Sequence, residues 1–201
     1  MQLYADCLYE IQMRASVIDE HLRGEYSEKY FITEVEFICL QFQKIFEKIA
    51  ITSLVANIEE YAKVWKQYAS DYDPIGIING LRKGNLYFYP KPSMPIIKED
   101  GTSHFEPITD GFLTEDDLTK AWKKCSNIIH AENPYNRPHN YENVQSMFPD
   151  WLTKIVVLLN HHSIVVNNDY MLTGSMRWCW DRDTNERPHV AGWDKVGPII
   201  T

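Results

Sequence analysis

Cysteine is scarce in this chain. Four thiols, Cys7, Cys39, Cys125 and Cys179, are spread over 201 residues with no C-x-x-C pair among them. That spacing argues against a disulfide framework or a structural zinc site, and points to free thiols, mostly buried, in a reducing compartment. Positive charge is also short: 20 Lys and Arg stand against 28 Asp and Glu, a net charge of −8. Such a balance disfavours a surface for duplex DNA, though it leaves room for a small local RNA site. No apolar run reaches the length of a membrane span, and MQLYADCLYE has neither a basic nor an apolar leader region. The expectation is a cytoplasmic protein with no membrane partner. Glycine-rich phosphate loops, G-x-S-x-G elbows and His-Glu-x-x-His zinc helices are all lacking. His161-His162 alone does not complete a metal site, so no metal and no cofactor is expected.

What the chain does have is helical periodicity. From Thr33 to Tyr68, apolar residues recur at Val35, Ile38, Phe42, Ile45, Ile49, Leu54, Ile58, Tyr61 and Trp65, with no proline or glycine between them. Thr33 and Glu36 have capping-box spacing. A straight helix of that length would run roughly 50 Å, so a break is expected near Ala56-Asn57. Its broad apolar face predicts the central helix of a bundle. Leu3, Cys7, Ile11, Ala15, Ile18 and Leu22 predict an earlier amphipathic helix, and Asp73-Pro74 opens a short one ending at Gly84. Thr114 with Glu115, Asp116 and Asp117 opens another, with Leu118, Trp122, Cys125 and Ile129 as its buried stripe. Residues 134–149 read as a loop, and Asp150 as the cap of WLTKIVVLLNHH.

Two segments break the helical pattern. Residues 84–112 hold Pro90, Pro92, Pro95 and Pro107, so no helix crosses them; their apolar content predicts an ordered segment laid on the bundle. After Ser163 the period becomes alternating, which predicts a hairpin with Tyr170, Leu172, Met176, Trp178 and Trp180 on one face, and a further strand over His189–Trp193. The expected fold is mainly α: a bundle of about five helices over 1–162, with a small antiparallel β-hairpin or meander over 163–201 packed on it. Five large side chains on one ribbon face are more than a hairpin hides alone, which predicts a homodimer.

The stretch with most chemistry is LTKAWKKCSNIIHAENPY. Lys123, Asn127 and His130 fall at four- and three-residue spacing on one helix face, with Lys124 beside them. A cation, an amide and an imidazole can together hold a phosphate and move a proton near neutral pH. At a helix end the same histidine can simply satisfy free carbonyls. Along the central helix, Glu36, Gln43 and Glu47 form a polar row that reads as a solvated stripe.

FICLQFQKIFEKIA together with SNIIHAENPY resembles the HEPN superfamily of helical bacterial defence and toxin proteins, over roughly residues 1–160. In that superfamily an arginine precedes the catalytic histidine by four to six residues, and RNA is cut without metal by dimers. His130 matches the histidine; Lys123 or Lys124 stands where the arginine is absent, and lysine does not reproduce a planar guanidinium fork. Arg137-Pro138-His139 has the right residue types at the wrong spacing. The resemblance therefore implies a HEPN-like protein acting through protein–protein contacts, with a metal-independent endoribonuclease using His130, Lys123, Lys124 and Asn127 as the alternative. Partners implied are a second copy, another protein, or RNA.

Overall fold

In a computed structural model of the chain, the residues described are 1–58, 73–97, 103–133, 135, 138–167, 170–176 and 187–194. Among them are six helices, α1 Gln2–Leu22, α2 Phe31–Ala56, α3 Pro74–Gly84, α4 Glu115–Ile129, α5 Tyr141–Gln145 and α6 Phe148–Asn160. Five strands accompany them: β1 Lys91–Ile97, β2 Ser103–Pro107, β3 His161–Val165, β4 Tyr170–Ser175 and β5 His189–Asp194. The fold is mainly α with a β part, and the β part is larger than the expected hairpin.

α2 is the centre. It packs against α1, α3, α4 and α5, and Val35, Ile38, Phe42, Ile45, Phe46 and Ile49 are buried along it. Phe42 stands edge-on to Trp151 at 5.4 Å between ring centroids and meets Phe148 at 5.4 Å, so α6 closes the same core. The helix starts at Phe31 with Tyr30 as its N-cap; Thr33 turns its hydroxyl back to the Tyr30 carbonyl, and the expected Thr33–Glu36 box does not form. It ends where a break was expected. Asn57 is its C-cap, almost wholly buried, and donates its side-chain amide to the Ser53 carbonyl at 2.9 Å. Tyr61, Trp65 and Tyr68 lie outside the described residues.

On α4, Thr114 and Asp117 form a reciprocal capping box. The stripe it buries is Leu118, Ala121, Cys125 and Ile128, while Trp122 and Ile129 sit at its margin. The row is therefore rotated by about one position from the expected one. Trp122 instead sends its indole N–H toward Glu47 at 3.4 Å, where Gln43 and Lys44 also converge. Glu47 is buried, so at this point the polar row on α2 is an internal network and not a solvated stripe. Residues 141–145, expected as loop, form the short helix α5, capped by Asn140. α6 starts two residues before Asp150, which sits in its first turn.

The sheet runs β2-β1-β3-β4-β5, all neighbours antiparallel. β3 begins at His161, directly after α6, so the two histidines expected in helix are strand residues. β1 comes from the proline-bearing segment 84–112, so the sheet crosses the expected boundary at 162/163. β1 divides its pairing: Lys91 and Pro92 face β3, whereas Ser93 to Ile97 face β2. Ile108 N–H donates to the Pro92 carbonyl at 3.0 Å. Continued along the strands, that parity places Pro95 and Pro107 at pairs whose N–H groups are not required by the ladder, which is how strands rich in proline survive here. Tyr170, Leu172 and Met176 belong to β4 or its end; Trp178 and Trp180 lie outside the described residues.

Candidate functional site

α4 carries the four residues singled out by spacing. Lys123, Lys124, Asn127 and His130 are all exposed, and none of their side chains has a hydrogen-bond or ion-pair partner among the described residues. His130 is the C-cap of α4; its backbone N–H reaches the Ser126 carbonyl at 3.2 Å. Helical spacing brings the four onto one exposed face of α4. They can meet a large partner such as a protein surface or a nucleic-acid backbone.

Beyond His130 several side chains hold backbone groups of the following residues. Glu132 accepts from the His139 backbone N–H at 2.8 Å, Asn133 accepts from Tyr135 N–H at 3.0 Å, and the His139 ring stands edge-on to Tyr141 at 5.8 Å. The Tyr141 hydroxyl points to Glu36 at 3.5 Å, and partial burial with two nearby carboxylates pushes its ionisation up. Arg137 lies outside the described residues. Tyr135 is 95% exposed.

The other histidines behave differently. His162 is completely buried. The Tyr4 hydroxyl lies 2.7 Å from its Nε2 and the Leu159 carbonyl 3.2 Å from its Nδ1. A carbonyl only accepts, so Nδ1 carries the proton and Nε2 accepts from Tyr4, and the neutral ring is fully satisfied. Burial lowers its pKa to about 4. His161, on the other face of β3, stacks on Phe105 at 4.8 Å and bonds Ser93 Oγ at 2.8 Å; burial lowers its pKa as well. These rings hold the fold and do not face one another, and no set of three metal-ligating side chains is found among the described residues.

A concave site lies elsewhere, between the segment leading into β1 and the one leaving β2. This groove, of about 380 Å³, is lined by Tyr87, Tyr89, Lys91, Pro107 and Phe112 among others. Its walls are tethered. Tyr87 N–H is held by Asn85 Oδ1 at 2.9 Å, and Asn85 Nδ2 bonds both Asn57 Oδ1 at 2.7 Å and the Val165 carbonyl at 2.6 Å. Tyr89 donates its hydroxyl to the Leu113 carbonyl at 3.0 Å, and Leu113 N–H bonds the Lys154 carbonyl at 3.0 Å. Lys91 extends its ammonium over the Tyr87 ring, 4.9 Å from the centroid. Glu115, at the other rim, is ion-paired with Arg82 at 2.6 Å. The spacing of residues along the chain gave no sign of this groove, because its walls are some twenty residues apart and are brought together by the β1–β2 pairing. The one available signal was composition: three successive aromatics, Tyr87 to Tyr89, followed by Pro90 and Pro92. Compared with known proteins, the chain matches no family model, no curated protein and no solved structure.

Proposed function

We propose that this chain works by binding another protein, as a HEPN-like regulator, scaffold or antitoxin-type partner in bacterial defence, without catalysis of its own. The observation that carries the reading is the groove: apolar, aromatic, pre-tethered, and furnished with only Lys91 and the already paired Glu115 as charged groups. Such a surface binds and orients; it lacks an acid–base pair. The candidate catalytic groups on α4 lie apart, on an outward face. A second copy is a further expected partner, though Leu172 and Met176, expected to help seat it, are buried in the chain's own core.

The second reading, a metal-independent endoribonuclease, is favoured by one observation. His130 is exposed at a helix end, with its ring unengaged by other described residues. Incubating the purified chain with unstructured and hairpin RNA in EDTA separates the two. The protein-binding reading expects no cleavage above the level of His130→Ala. Cleavage that His130→Ala abolishes, at an unchanged melting temperature, would establish the nuclease reading in its place.

A further inference from the structure

We infer that the groove beside β1 is a docking site for an extended, proline-rich peptide segment carrying an acidic residue. This rests on the protein-binding reading and specifies the partner's chemistry. Three features of the groove select that occupant.

The first is its lining. Buried Tyr89, fixed by its hydroxyl's bond to Leu113, forms the base of the groove, and Tyr87 and Phe112 supply partly exposed aromatic lining. A polyproline II segment presents ridges of pyrrolidine rings that fill grooves of this kind, and being already extended it loses little entropy on docking. The second is the balance of donors and acceptors. The Tyr87 hydroxyl and Thr109 hydroxyl line the site with no acceptor among the described residues, while the carboxylate of Glu115 is occupied by Arg82. Each hydroxyl can donate to a bound carbonyl, and a proline-rich strand presents carbonyls at every residue while needing no acceptor at its prolines.

The third feature is charge. Lys91 meets no carboxylate among the described residues; only the Tyr87 ring lies beneath its ammonium. With Glu115 neutralised by Arg82, Lys91 is the unmatched charge of the site, and an acidic side chain in the bound segment would face it. The groove is held in shape by Asn85 and Leu113 before anything binds, so little ordering is needed on the protein's side.

The test uses the whole chain and fluorescence anisotropy with a labelled, end-blocked oligoproline containing one central glutamate. The comparison peptides replace that glutamate by lysine, or replace the prolines by glycine and serine. The oligoproline with glutamate is expected to bind at least about tenfold tighter than the glycine–serine peptide. Tyr87→Ala should weaken it by about tenfold, and Tyr87→Phe, which keeps the ring, by about threefold. Lys91→Glu should reverse the preference between the glutamate and lysine peptides. Circular dichroism of each variant checks that it is folded, and the exposed Lys91→Glu decides the matter if Tyr87→Ala is not. Equal binding of the glycine–serine peptide, no saturable binding of the oligoproline, or a Lys91→Glu protein with unchanged preference would each overturn the inference. Cleavage of RNA would overturn the broader reading and leave these peptide results to stand or fall by themselves.

Discussion

At the scale of single residues, His162 has the sharpest consequences. In the unfolded chain its ring titrates at about 6.5; in the folded protein its pKa is lowered to about 4. Above the unfolded value both states are neutral and the fold has its full stability. As pH falls from there toward 4, the unfolded chain takes up a proton that the folded chain refuses, so stability drops. Below 4 the loss levels off, at roughly 3 kcal/mol for this one ring. Urea unfolding followed between pH 7.5 and pH 4 should show that decline, and His162→Gln should flatten it while lowering stability at pH 7.5. Tyr4→Phe removes the hydroxyl that satisfies Nε2 and should cost about 1–3 kcal/mol. Gly174→Ala is expected to be comparably damaging for a different reason. A Cβ there would meet the His162 ring at 2.6 Å, and the ring cannot retreat because both its nitrogens are bonded. None of this was legible from the His161-His162 pair, since the partner that makes His162 a core residue lies 158 positions away. By contrast, that Lys123, Asn127 and His130 share one helix face follows from helical spacing alone, whereas their exposure does not.

At the scale of elements, α2 was the part most readable from the sequence. Its apolar period is uninterrupted and its break at Ala56-Asn57 was expected from length. Ile45→Ala should therefore cost about 2–5 kcal/mol, seen as a lower denaturation midpoint. The rotation of the α4 stripe was less readable. Trp122 is larger than Ala121 and so dominates a periodicity reading, but the indole's N–H is drawn to the Glu47 network at the rim. β1 and β2 escaped notice because four prolines in the segment count against any strand. Tertiary parity, which a linear pattern does not contain, made them acceptable. Asn57 and Asn85 link these elements: Asn85→Ala should leave the Val165 carbonyl and Asn57 Oδ1 without their donor, destabilise the chain by about 1–3 kcal/mol, and weaken peptide binding with it.

At the scale of the whole molecule, bundle and sheet share one core, through α6, whose end runs without a gap into β3. His130, outside that core, should be replaceable by alanine with the melting temperature almost unchanged. Light scattering tests the expected homodimer: a constant mass near 23.6 kDa at all concentrations would exclude it.

The divided pairing of β1 has a mechanical meaning. The outer hairpin, β1 with β2, is joined to the main sheet by the pairs at Lys91 and Pro92 and latched by His161, stacked on Phe105 and bonded to Ser93. β1 also rests on α6, but its pairing to the main sheet ends after two residues, and there the sheet can part while the helices stay folded. In native-state hydrogen exchange the amides of β1 and β2 should therefore open together, ahead of those of β3 and β4, as a unit of low local stability. Opening would release His161 from the burial that lowers its pKa, so mild acid should shift that equilibrium toward the parted form. After correction for the intrinsic rate, β1 and β2 protection should fall at acidic pH sooner than that of α2.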